Sequence, residues 1–289
     1  MELRVLRYFL TVAETENISR AAELLHLTQP TLSRQLMNLE QELGVKLFSR
    51  GKSSITLTPE GMLLKRRARD IVYLADKTER EVSSKDGVLS GVISIGVGEM
   101  HGSTELTDAV AGFRKLHPEV QFDIYSDRAD AVREKIDKGV LDLGLLMMPV
   151  DASRFSFVEL RKPERWGVMV REDSPIAEMK NIRPQDLAGV PLILTKDPAG
   201  RTRITNWFGE YGGRMNVAAT FNLEYNAYQL VKAGVGAAVC FMKEGFPSGG
   251  VCCIPIEPKS NMHLAVGWDK RREQTKAVRE FIEYVKERI

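Results

Sequence analysis

The chain has 289 residues, 43% of them hydrophobic and 28% charged, with a formal net charge of +2. That length allows two or three domains with separate cores, and the composition is that of a globular protein rather than a disordered or fibrous one. No apolar run reaches the roughly 18–20 residues of a membrane span, and "MELRVLRYFL" lacks a secretory pattern, so a cytoplasmic protein without a membrane partner is expected.

At the front the signals are helical. Leu3, Leu6, Leu10 and Ala13 share one helix face. In "ENISRAAELLH", Ser19 is placed as the N-cap of a second helix, with Ala21, Ala22 and Leu25 on a close-packing face and Leu27 at its end. Thr28 is placed to cap a third helix with Pro30 in its first turn, where a missing N–H costs nothing. Leu32, Leu36, Leu39 and Leu43 form its inward stripe, and Arg34 lies nearly opposite, with Pro30, Thr31 and Asn38 beside it. Gly44 suits its stop, and "KLFSRGKSSITLT" reads as a hairpin with Gly51 near the tip. Helix, turn, helix and hairpin define a winged helix-turn-helix over 1–58, its central motif at 18–37.

A linker helix follows at 59–87. Leu64, Ala68, Ile71, Ala75, Thr78 and Val82 make a heptad-like seam, expected to pair two copies of the chain. After Gly87, strand-like runs such as "GVISIGVG", "VQFDIYS", "VPLILT" and "GVGAAVCF" alternate with helical stretches. That alternation predicts parallel sheets covered by helices. The expected fold is multidomain: a helical winged domain, the linker helix, then an α/β region at 88–289 of two Rossmann-like lobes. Lobe one is placed at about 88–163 and 268–289, and lobe two at about 164–267.

Two stretches, "AAELLHLTQPTLSRQLMNLEQELGVKLFSR" and "LTPEG", closely resemble the N-terminal domain of the LysR-type transcriptional regulators. More loosely, "FRKLHPEV", "LDLGLL", "DLAGVPLIL" and "LVKAGVGAAV" resemble that family's effector region. The resemblance implies a bacterial regulator that binds double-stranded operator DNA as a homodimer or homotetramer. It also implies lobes like those of periplasmic binding proteins, with a small-molecule effector in the cleft between them. RNA polymerase is a further partner it allows.

A helix enters the B-DNA major groove and reads base edges with its N-terminal residues. Periodicity supports Pro30 and Arg34 as groove-facing, and the resemblance adds Gln29 and Ser33. Thr28, Thr31 and Asn38 complete the helix set. On the wing, Arg50, Lys52, Ser53 and Thr56 are expected to hold phosphates.

For the effector, Ser103 and Thr104 open a helix after "GVGEMHG", with His101 just before. Thr195, Arg201 and Thr202 repeat that arrangement in lobe two. Helix N-termini favour anions, so a small anionic effector is expected, with Gly98 and Met148 in the same set. The glycines of "GVGEMHG" miss the dinucleotide spacing by one residue. The four histidines are scattered, and no acid–base or nucleophile constellation occurs, so no metal, cofactor or catalysis is expected. Cys240, Cys252 and Cys253 do not form a knuckle or a disulfide framework and read more readily as buried small hydrophobes than as redox sensors, a role the sequence leaves open.

Overall fold

The computed structural model describes residues 1–50, 55–82, 88–98, 103–243 and 245–289. The chain divides into two compact units, Met1–Lys85 and Asp86–Ile289.

The first unit contains α1 (Leu3–Thr15), α2 (Ile18–Leu24), α3 (Gln29–Leu43), β1 (Phe48–Arg50), β2 (Ile55–Leu57) and α4 (Pro59–Val82). Its core gathers Leu6, Phe9 and Val12 from α1, Ala21 and Ala22 from α2, Leu32, Leu36 and Leu39 from α3, and Leu47. The α1 stripe is thus centred on Phe9 and Val12 rather than on Leu3 and Leu10.

Local chemistry shifts several expected boundaries. Asn17, not Ser19, caps α2: its side chain accepts the Arg20 N–H at 3.0 Å, and Ser19 already lies inside the first turn. The helix stops at Leu24 because His26 turns the chain at φ +54°. Thr28 precedes α3 with extended backbone, but its hydroxyl bonds the Thr31 hydroxyl at 2.8 Å instead of a free N–H. Gly44 ends α3 at φ +69°, and Leu43 is 38% exposed, so the leucine stripe closes one turn early.

The "LTPEG" segment has a clear physical role. Thr58 donates its hydroxyl to the Lys46 carbonyl at 2.7 Å and accepts the Gly61 N–H at 3.0 Å. A Cβ on Gly61 would lie 2.1 Å from the Leu47 carbonyl oxygen, so only glycine lets α4 start this close to the strand.

The expected seam on α4 is divided. Ala68 is wholly buried in its own unit, and Leu64 and Val72 pack against the same core. Lys65 donates to the Ala13 carbonyl at 2.9 Å, and Arg69 pairs with Glu14 at 3.0 Å, which holds this half of the helix along α1. Ala68 is therefore unavailable to a second copy. Ile71 is 39% exposed and Val82 81%.

The second unit contains β3 (Gly91–Val97), α5 (Ser103–Leu116), β4 (Val120–Ser126), α6 (Ala129–Asp137), β5 (Leu143–Met147) and β6 (Phe155–Glu159). It continues with β7 (Glu164–Arg171), β8 (Pro191–Thr195), α7 (Pro198–Phe208), β9 (Asn216–Phe221), α8 (Glu224–Lys232) and β10 (Ala237–Phe241). β11 (Val251–Pro255), β12 (Asn261–Met262), β13 (Leu264–Asp269) and α9 (Lys276–Arg288) complete it.

Lobe one is a sheet of order β4-β3-β5-β13-β6, and lobe two has order β11-β7-β10-β8-β9 with β12 paired to β7. The sheets are mixed rather than parallel. β13 runs antiparallel to β5 and β6, and β7 antiparallel to β10 and β11. These are the strands that arrive from the opposite lobe, so they enter against the local direction. Lobe one accordingly resumes at Leu264 rather than near 268. α9 returns to it as expected, with Phe281 edge-on to Phe113 at 5.2 Å. Both faces of each sheet are buried under helices.

Candidate functional site

On the first unit the structure brings the expected α3 residues to one surface. Thr28, Gln29, Pro30, Thr31, Arg34 and Asn38 are exposed, on the side away from buried Leu32, Leu36 and Leu39. Ser33 is half-buried and its hydroxyl accepts from the Gln29 amide at 2.9 Å. With the Thr28–Thr31 bond, the first turn of α3 orders its own polar side chains. Among the described residues, the Arg34 guanidinium has no hydrogen-bond or ion-pair partner, so all its donors face outward.

The hairpin is confirmed as an antiparallel ladder, Phe48 to Leu57 through Arg50 to Ile55. Thr56 is exposed on it. Lys52 and Ser53 lie outside the described residues, as does the side chain of Arg50.

Glu40 fixes the hairpin's approach to α3. Its carboxylate accepts from Lys46 Nζ at 2.7 Å, Leu47 N–H at 2.8 Å and Phe48 N–H at 3.3 Å. Burial opposes its ionisation, but Lys46 and the two amides outweigh burial and hold the carboxyl below its ordinary value.

In the second unit a cavity of about 700 Å³ opens between the lobes. Lobe one contributes Gly98, Met147 and the Ser126–Arg128 loop. Lobe two contributes Thr195–Asp197, Gly200 and Arg203 around the start of α7, Phe221–Glu224 before and at the start of α8, and Val239–Phe241. Trp166 and Phe241 face each other across paired strands, ring centroids 4.2 Å apart, and give the cavity an aromatic wall.

Of the expected effector residues, Gly98 and Thr195 line this cavity. Met148 does not; its neighbour Met147 does, because adjacent residues at a strand end point to opposite sides. Thr202 lies off the lining and donates to the Pro198 carbonyl at 2.9 Å, and Arg201 is likewise outside it. Thr104 is exposed and not part of the wall. His101 and the Ser103 side chain lie outside the described residues.

The charges on the wall are mixed. Asp127 accepts from the Tyr125 hydroxyl at 2.6 Å and the Arg128 N–H at 2.8 Å. Arg128 clasps Asp130, whose carboxyl is held below its ordinary value first by that hydrogen bond. Asp197 caps α7. Buried Glu224 pairs with Lys243. Lys196 and Arg203 line the cavity, are exposed, and have no side-chain partner among the described residues. The Ser126–Arg128 and Asn222–Glu224 loops went unread in the sequence. The available signal was their place at the carboxyl ends of parallel strands, where open α/β sheets bind ligands.

Residues 3–62 match the bacterial regulatory helix-turn-helix proteins of the lysR family, and residues 86–289 match the LysR substrate binding domain. The chain belongs to the LysR family. This LysR-type regulator is 31% identical to the Hca operon transcriptional activator HcaR of Escherichia coli, over all of this chain and 98% of that protein. It is 30% identical to the transcriptional regulator BenM of Acinetobacter baylyi, over 83% of this chain and 80% of that one. Full-length CbnR, solved in complex with its target DNA, has the same fold, with a TM-score of 0.77 at 22% identity over the whole of both chains. The LysR-type regulator thus joins a DNA-binding winged unit to an effector-binding α/β unit. Among its described residues, no helix is long and apolar enough to cross a membrane.

Proposed function

We propose that this regulator reads operator DNA with the first turns of α3 and responds to a small molecule held between the lobes of its second unit. One observation carries the DNA reading: Arg34 and the polar first turn stand opposite the buried leucine stripe. Arg34 pairs with a guanine edge, Gln29 with adenine, Pro30 meets a thymine methyl, and Thr28, Thr31, Ser33 and Asn38 contact bases or phosphates. Arg50, Lys52, Ser53 and Thr56 of the wing hold the backbone.

The effector carries an anionic group that Lys196 and Arg203 receive, and an apolar body that lies on the Trp166–Phe241 wall. It changes transcription by favouring one arrangement of a homodimer or homotetramer over another, which requires different affinities for the two. The protein works in the cytoplasm, by binding rather than catalysis, and neither DNA nor effector recognition calls for a cofactor.

Arg34→Ala tests the reading. It leaves the melting transition and oligomer size unchanged and costs roughly 1–3 kcal/mol of specific operator affinity in a fluorescence-anisotropy titration. Unchanged affinity would remove α3 from the groove.

A further inference from the structure

Three sulfur side chains meet in lobe two over a residue that has no side chain of its own. Cys240 on β10 is in register with Gly167 on β7, and Cys253 on β11 is in register with Met169, two residues along the same strand. Alternation along β7 puts these positions on one face of the sheet. A Cβ on Gly167 would lie 2.7 Å from Cys253 Sγ and 2.6 Å from Met242 Cγ, so the thiol and the thioether arm both occupy the space glycine leaves. Cys240 and Met242 stand two apart at the end of β10, on this same side. Cys240 stands directly opposite Gly167, so its Cβ lies about 4.5–5.5 Å from that same point.

The pair does not suit a disulfide. Its strands are separated by β7, and neighbouring strands lie about 4.8 Å apart. Two strand spacings alone make roughly 9–10 Å and the two-residue stagger adds to it, so the Cα atoms lie beyond the ~7 Å a disulfide tolerates. A metal ion between the sulfurs has a longer reach, since two metal–sulfur bonds of about 2.3 Å span up to ~4.6 Å. Among the described residues no three His, Cys, Asp or Glu side chains gather, which disfavours an ion that wants four hard or borderline ligands.

We propose that Cys240, Cys253 and Met242 form a site for one soft monovalent metal ion of the Cu(I) class. Two thiolates and a thioether at low coordination number are the donors that select Cu(I). Binding breaks two S–H bonds and forms two S–Cu bonds; two protons leave to water and no electron is transferred. The loaded site carries one net negative charge and lies near the Lys243–Glu224 pair. Cys240 also lines the inter-lobe cavity, while Cys253 and Met242 are only half-buried, so an ion has a way in.

The test is an anaerobic titration of the full chain against Cu(I) held by bathocuproine disulfonate, following the colour the chelate loses. One equivalent of Cu(I) should move to the protein. Loss of an outer support typically weakens a metal site 10–100-fold, so Cys240→Ser and Cys253→Ser should each weaken it by at least about 10-fold, and Met242→Leu by less. Cys252 points to the opposite face of the sheet, and Cys252→Ser should leave the affinity unchanged. Because each thiol must lose its proton to bind the ion, affinity should rise with pH. If Cys240→Ser does not fold, Cys253→Ala and Met242→Leu carry the comparison. No copper withdrawn from the chelate, or equal damage from Cys252→Ser and Cys253→Ser, would overturn the site. The readout involves neither DNA nor effector, so it stands apart from the regulator reading.

Discussion

The Asp197 carboxylate accepts the Gly200 N–H at 2.7 Å, so the chain itself occupies the helix end where an anionic ligand was expected. A helix start has four free N–H donors, and Asp197 takes one and sets its own negative charge there, which weakens the pull on an anionic ligand. Side-chain cations of the cavity then matter more to an anionic effector, and Lys196 and Arg203 have no described partner. The same bond predicts a stability effect. Asp197→Ala should cost about 0.5–2 kcal/mol in denaturant unfolding of the second unit, while Asp197→Asn, which caps as well, should cost little. Equal losses would assign Asp197 a role other than capping.

Gly61 and Leu47 make the tightest steric demand in the first unit. With a Cβ 2.1 Å from a backbone oxygen, alanine cannot be accommodated by turning a side chain. Overpacking typically costs about 1–3 kcal/mol, and a backbone obstacle puts Gly61→Ala at the upper end. Thermal unfolding of the first unit should show this drop. Gly44→Ala provides a contrast: nothing lies within 4 Å of its Cβ, so its cost reflects only the strain of φ +69°.

Much of the first unit was legible in the sequence because its signals are local. The leucines at 32, 36 and 39, the stop at Gly44 and the hairpin depend on residues a few positions apart. Caps were less legible: Asn17 and Ser19 both suit the role, and only the start of the helix decides between them. β6 and β9 escaped notice because "FSFVE" and "NVAATF" carry little apolar weight. The cavity was the hardest part. Trp166 meets Phe241, and Glu224 meets Lys243, through strand pairing and helix packing between distant segments. No periodicity in one stretch encodes such contacts.

Glu40 should make the first unit acid-sensitive. Its folded carboxyl titrates below the ordinary value of 4.5, so the stabilisation is fully present above that value. It is lost as pH falls through the lower folded value, when Lys46, Leu47 and Phe48 lose their acceptor. Glu40→Gln should therefore lower stability at neutral pH and flatten its pH dependence below about 4.5. A series of unfolding midpoints from pH 7 downward measures both effects. A parallel decline in the two proteins would mean that other carboxylates control the acid transition.

The two halves of α4 predict opposite phenotypes from one kind of substitution. Ala68 is wholly buried against its own unit, so Ala68→Glu places a carboxylate in an apolar core and should unfold that unit. Ile71 and Val82 face outward on one side of the helix, 39% and 81% exposed, and leave apolar surface there. Apolar surface left exposed along one helix face marks an interaction site. Ile71→Glu should keep the helical circular-dichroism signal and melting point but shift sedimentation toward a smaller species. Operator affinity should then fall steeply with dilution, because a monomer reaches one half-site where a dimer reaches two. If Ile71→Glu sediments like the parent while Val82→Glu does not, the pairing surface begins nearer the helix's C-terminal end. If neither changes the assembly, α4 is not where copies meet.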